Sequence, residues 1–123
     1  MALTLAMMSL GLVACGGGGP EGTVKGFYKD LEAGKIESAA ERLSPKTTQS
    51  FGVEKTTELL RQGTRDIADK GGIEKIEIVE SQVLGEIATV KVAVTFGNGT
   101  TDNNELDLTQ RDGRWVIEPS MDK

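Results

Sequence analysis

The sequence predicts an α+β domain: three N-terminal helices packed on a curved four-stranded antiparallel meander sheet. Two observations carry this. Apolar residues recur at helical spacing as far as Lys70 and at alternate positions after Gly72. The alternating half is also cut by short glycine-bearing turns, and consecutive strands joined that tightly pair antiparallel.

The first helix is predicted over about Thr23 to Ala33. Val24, Phe27, Tyr28 and Leu31 make one stripe, Thr23 suits the cap, and Gly34 suits the left-handed residue past the end. The second helix places Ile36, Ala39, Ala40 and Leu43 on one face, and Ser44-Pro45 ends it, because a residue before proline avoids helical angles. Ser44 to Phe51 reads as an irregular connector with Phe51 tucked inward. The third helix runs from about Val53 to Lys70, with Val53, Leu60 and Ile67 seven apart and Leu59 and Thr64 beside them; Gly71-Gly72 stops it.

The first strand is predicted over Ile73 to Leu84. Its apolar set shifts from Ile76 and Ile78 to Val79 and Val83, which a period-two strand achieves only with an extra residue, so a β-bulge is expected near Ile78 to Ser81. Gly85-Glu86 leads to the clearest strand, Ile87 to Phe96, with Ala88, Val90, Val92, Val94 and Phe96 inward. After Gly97-Asn98-Gly99 comes a third strand, about Thr100 to Gln110, with Leu106 and Leu108 inward. Asp112-Gly113 is a two-residue hairpin signal, and Trp115 to Glu118 is the fourth strand.

Composition removes several chemistries. The chain has 123 residues, no histidine and one cysteine, Cys15. The commonest general base and metal ligand is therefore missing, and no disulfide is available to a small domain. Net charge is −5, with nine basic and nine acidic residues from Gly16 to Lys70, then five against ten to the end. Nucleic acid, which needs clustered positive charge, is not an expected partner, and an anionic lipid surface would not by itself attract the domain. Asp102-Asn103-Asn104-Glu105 lacks the spaced loop and central glycine of a helix-loop-helix calcium site, so no metal or other cofactor is expected.

The amino end carries a separate signal. An apolar stretch from Met1 closes on Leu12-Val13-Ala14-Cys15 and is followed by Gly16 to Gly19. It resembles a bacterial lipoprotein signal peptide with its lipobox. The resemblance implies cleavage before Cys15 and acylation of that residue, which would join the chain to membrane lipid. The missing basic n-region suggests a natural start upstream of Met1. The rival is an N-terminal core helix, disfavoured because four glycines and Pro20 disconnect the segment from the rest of the chain. Residues 1–14 are read as the signal peptide, 15–22 as the lipidated cysteine and a tether spanning on the order of 15 Å, and 23–123 as one domain.

The run Val24-Lys25-Gly26-Phe27-Tyr28-Lys29-Asp30-Leu31-Glu32-Ala33-Gly34-Lys35, with Ala39-Ala40 and Leu43-Ser44-Pro45, resembles the opening of small bacterial lipoproteins of unknown function. Ala88-Thr89-Val90-Lys91-Val92, Gly99-Thr100-Thr101 and Asp112-Gly113-Arg114-Trp115 resemble their close. The resemblance implies the cystatin-like, nuclear-transport-factor-2-like cone. It also implies a place in the bacterial envelope. Glycine after the cysteine, rather than aspartate, favours the periplasmic face of the outer membrane in a Gram-negative cell.

The resemblance also implies a third alternative, an enzyme of the isomerase or dehydratase type, and such enzymes need an acid or base facing into the cone. The inward stripes offer only Tyr28, more often a core residue with its hydroxyl at the edge, and Asp102 with Glu105 is read as solvated loop charge. No catalytic residue is assigned. The first functional expectation is a non-catalytic module binding an envelope protein through an acidic sheet face, with Glu77, Glu105, Asp107 and Glu118 outward and Lys91 among them. The alternative is a cone lined by Phe27, Tyr28, Phe96 and Trp115 that holds a small apolar ligand. A filled cone is the simpler use of so few aromatics.

Overall fold

The computed structural model describes residues 19–118. Four helices precede four strands: α1 (Gly19–Ala33), α2 (Ile36–Glu41), α3 (Pro45–Phe51), α4 (Val53–Asp69), β1 (Ile73–Leu84), β2 (Ile87–Phe96), β3 (Thr101–Arg111) and β4 (Arg114–Ile117). The strands form one antiparallel meander in the order β1-β2-β3-β4. The predicted class holds, with one helix more than expected.

Helix α1 starts four residues early. Pro20 occupies its first turn, where a proline ring already has helical φ and its missing N–H is not needed. Gly19 to Gly22 are therefore helix rather than tether. Thr23, expected as the cap, instead donates its hydroxyl to the Trp115 carbonyl at 3.2 Å, fixing the helix start beside β4. The far end of α1 is tied to β1, where the Ile73 amide donates to Glu32 Oε2 at 3.0 Å.

Ser44-Pro45 ends one helix and begins the next. Ser44 Oγ accepts from the Lys46 amide at 3.2 Å, and Pro45 sits at the first helical position. The expected connector is thus α3, and Phe51 is exposed rather than tucked in. Between α2 and α3 the chain runs along β4. Leu43 bridges Ile117 in parallel, with Ile117 N donating to Arg42 O at 2.8 Å and Ser44 N to Ile117 O at 2.7 Å. The Arg42 side chain lies across Gly26, where a Cβ would overlap its guanidinium, and pairs with Asp30 at 2.8 Å.

The buried stripe of α4 is Thr56, Leu60 and Ile67, whereas Val53 and Leu59 are exposed. Gly63 brings α4 against the Leu31 methyl groups, and the Thr64 hydroxyl donates to the Leu31 carbonyl at 2.7 Å. Val24, Leu31, Ala39, Leu60 and Ile67 from the helices meet Ala88, Val90, Val92, Val94, Phe96, Leu108 and Ile117 from the sheet. Together they make one core on the inner sheet face.

Strand register confirms the expected bulge. Ile78 pairs with Val92 and Glu80 with Lys91, leaving Val79 as the extra residue. A second shift, not expected, lies between Ile73 and Lys75. The β3–β4 turn has positive φ at both Asp112 (52°) and Gly113 (77°), as a type I′ hairpin requires.

Candidate functional site

Register assigns each candidate to a sheet face. Val83, Ser81, Ile78 and Ile76 stand opposite Ala88, Val90, Val92 and Val94, and these in turn stand opposite Leu108, Leu106, Asn104 and Asp102. This is the inner face. The outer face takes the alternate set, in which Glu77 pairs with Ala93, Lys91 with Glu105, and Thr89 with Asp107.

The predicted outward charges therefore share one face. Lys91 lies 3.5 Å from Glu80, and Lys75 lies 3.7 Å from Glu77. Asp107 accepts from the Thr89 hydroxyl at 3.3 Å, and Glu118 accepts from the Thr109 hydroxyl at 2.6 Å. Among the described residues, neither Glu105 nor Asp107 has an ion-pair partner. Beside the bulge lies a depression of about 250 Å³, lined by Val79, Lys91, Asn103 and Glu105 together with Val92 and Asn104.

The four aromatic candidates are not gathered into one site. Phe27 and Tyr28 touch edge to face, with ring centroids 5.8 Å apart. Phe96 pairs with Ile73 at one end of the sheet, whereas Trp115 pairs with Gln110 at the other. Between those ends Val90, Val92 and Val94 are sealed in the core.

The inner face is less uniformly apolar than the sequence suggests. Asp102-Asn103-Asn104-Glu105 is strand, as the predicted span of β3 has it and the loop reading of its charges does not, and it divides between faces, with Asp102 and Asn104 inward and Asn103 and Glu105 outward. Asp102 and Glu105 are thus not a carboxylate pair. Asp102 binds the Lys70 ammonium at 3.3 Å, and that ammonium also stands 4.7 Å from the Phe96 ring centre. Asn104 donates to the Tyr28 hydroxyl at 3.0 Å. Burial pushes the Tyr28 phenol above its ordinary value of 10.0; the Asn104 hydrogen bond opposes this, and the Asp102 charge adds to it. Sequence reasoning missed Asp102 and Asn104 as inward residues. The signal that could have found them is parity, since both lie an even number of positions from Leu106 and Leu108.

Among the described residues no group of three or more potential ligand side chains could hold a metal ion, and no helix is long and apolar enough to cross a membrane. Leu12, Val13, Ala14 and Cys15 lie outside the described residues.

A helix-lined inner face, an open outer face and a four-stranded meander define the nuclear-transport-factor-2-like (NTF2-like) class of α+β domains. The chain belongs to the domain-of-unknown-function family DUF4878, whose model matches residues 13–118. A Campylobacter jejuni protein provisionally named an NTF2-like transpeptidase is similar in structure: TM-score 0.73, 24% identity, covering 82% of this chain and 98% of that one. A SEC-C motif containing protein from Rhodopseudomonas palustris is similar at TM-score 0.64 and 16% identity, covering 84% and 77%. A de novo designed NTF2 fold protein, NT-9, reaches TM-score 0.55 at 18% identity, covering 80% and 81%. No functionally curated protein matches the chain. At these identities the likenesses establish the fold.

Proposed function

We propose that this is a lipid-anchored protein of the bacterial envelope, held at Cys15, that binds a protein partner through its outer sheet face and does no chemistry itself. The observation that carries the reading is that face. The outer face is exposed along β1, β2 and most of β3, and is closed at Val116 of β4; it presents Glu77, Lys91, Glu105, Asp107 and Glu118, of which Lys91 and Glu105 line the depression at Val79. Carboxylates without an ion-pair partner favour a basic partner, in a complex weakened by salt. The lipobox residues Leu12 to Cys15 support the anchor. The outer membrane, periplasmic face, is the location that Gly16 favours in a Gram-negative cell.

The non-catalytic reading rests on the inner face. Its polar groups hold one another, Lys70 with Asp102 and Asn104 with Tyr28, and a phenol kept protonated by burial is a poor base at neutral pH. The transpeptidase name of the Campylobacter jejuni protein finds no echo here, since the chain lacks histidine and its one cysteine is that of the lipobox. A small apolar ligand in the cone remains the second reading. It has less support, because Phe96 and Trp115 stand at opposite sheet ends.

Photo-crosslinkers placed at Glu105 and at Lys29 on α1, in intact cells, test the reading. A basic envelope protein captured reproducibly at Glu105 alone, and lost at high salt, is expected. The same proteins at both positions, or none at either, would overturn it.

A further inference from the structure

The hairpin tips and the start of α1 lie at the same end of the sheet. Gly19 and Gly22 share a cavity of about 230 Å³ with Gly113, Arg114 and Trp115 of the β3–β4 tip. The β1–β2 tip stands alongside, since Gln110 N donates to Glu86 O at 2.8 Å. Ile87 and Arg111 line a second cavity, of about 350 Å³, between the two tips.

This end carries an unusual surface. Leu84 and Ile87 are cross-strand partners, 79% and 58% exposed. Arg111 and Arg114 stand directly opposite each other, an arrangement of like charges that weakens a hairpin. Neither has an ion-pair partner among the described residues. Arg42 and Lys46 join the two arginines at this end, and Glu41, Glu86, Asp112 and Glu118 lie there too, so its local charge is balanced rather than basic.

Chain length decides what this surface meets. Three residues separate Cys15 from Gly19, and the four extended steps between them reach at most about 14 Å. The opposite sheet end is a ten-residue strand away, about 30 Å. An acylated Cys15 can therefore bring only the hairpin-tip end to the bilayer.

We propose that this end is a membrane-docking surface. Leu84 and Ile87 dip among the phospholipid headgroups, and Arg111 and Arg114 take their phosphates. The sheet then stands on end with its outer face open to the aqueous side. The proposal rests on the lipid anchor and adds the orientation that the anchor imposes. Because the charge is balanced, the apolar pair supplies the contact and the arginines set its depth.

Trp115, the only tryptophan, lies beside this surface and reports on it. The acylated full chain is reconstituted into phosphatidylethanolamine–phosphatidylglycerol vesicles with and without a headgroup-nitroxide lipid. Trp115 emission is expected to fall about twofold with the nitroxide lipid. Most of it should return in the double variant Leu84→Glu/Ile87→Glu, checked by thermal melt and still floating with the vesicles. Quenching equal in variant and parent, or absent from both while they float, overturns the docking and leaves the anchor standing. Quenching that needs an added envelope protein overturns it in favour of a protein contact. A chain that does not float with the vesicles removes the anchor, and this inference with it.

Discussion

Tyr28 is the chain's only tyrosine, so its ionisation can be followed without interference. Burial raises its pKa in the folded protein above the unfolded value. Its contribution to stability is therefore complete below about pH 10 and is lost as pH rises through the folded pKa. Ultraviolet titration of the phenol should give a midpoint above 10.0, and Tyr28→Phe should remove the part of the alkaline destabilisation that tracks it. A midpoint at or below 10.0 would refute the burial argument. Gly97 makes a second residue-level case. Its amide donates to the Gly72 carbonyl at 2.9 Å, and a Cβ there would overlap the Gly71 carbonyl oxygen. Both sides of that contact are backbone, so neither can swing away. Gly97→Ala is expected to cost roughly 2 kcal/mol or more in urea denaturation; a change within experimental error would show that the two turns separate freely.

Among the elements, β1 shows most directly how sequence sets geometry. Its apolar set changes parity midway, and only an added residue can keep Ile76, Ile78 and the half-exposed Val83 on the inner face. Val79 is that residue. Deleting Val79 should leave Ile78 opposite Val92 and Glu80 opposite Lys91, giving a folded protein with a flatter strand, about 1–2 kcal/mol less stable by thermal melt. Deleting Ser81 instead should cost far more, because the residues beyond it would change faces. Equal losses from the two deletions would contradict this reading. The helices were harder to read. Val53, Leu60 and Ile67 are seven apart, yet the buried stripe runs through Thr56, a polar residue that spacing of apolar side chains passes over. Ser44-Pro45 was legible as a stop, but the same dipeptide is also a cap followed by a favoured first helical residue, and α3 hides in that double meaning.

At the scale of the whole molecule, the meander was legible because each strand ends in turn chemistry, from Gly85-Glu86 to Asp112-Gly113. The outward charges were legible because alternation fixes the face once a strand is recognised. The first residues of β3 fell within the predicted strand, but their faces were missed, since Asp102 to Glu105 contains no apolar residue and its period has to be counted back from Leu106. The spatial separation of Phe96 from Trp115 was also invisible, because it depends on the register of four strands together. The two margins of the sheet are unequal as well. Leu43 and its neighbours occupy the free side of β4, while among the described residues no strand lies along the free side of β1. A molecule with a single unsealed flank can join one other along it and then has nowhere left to grow. Strand addition between copies would stop at two, and the fold carries its own terminator against fibre formation.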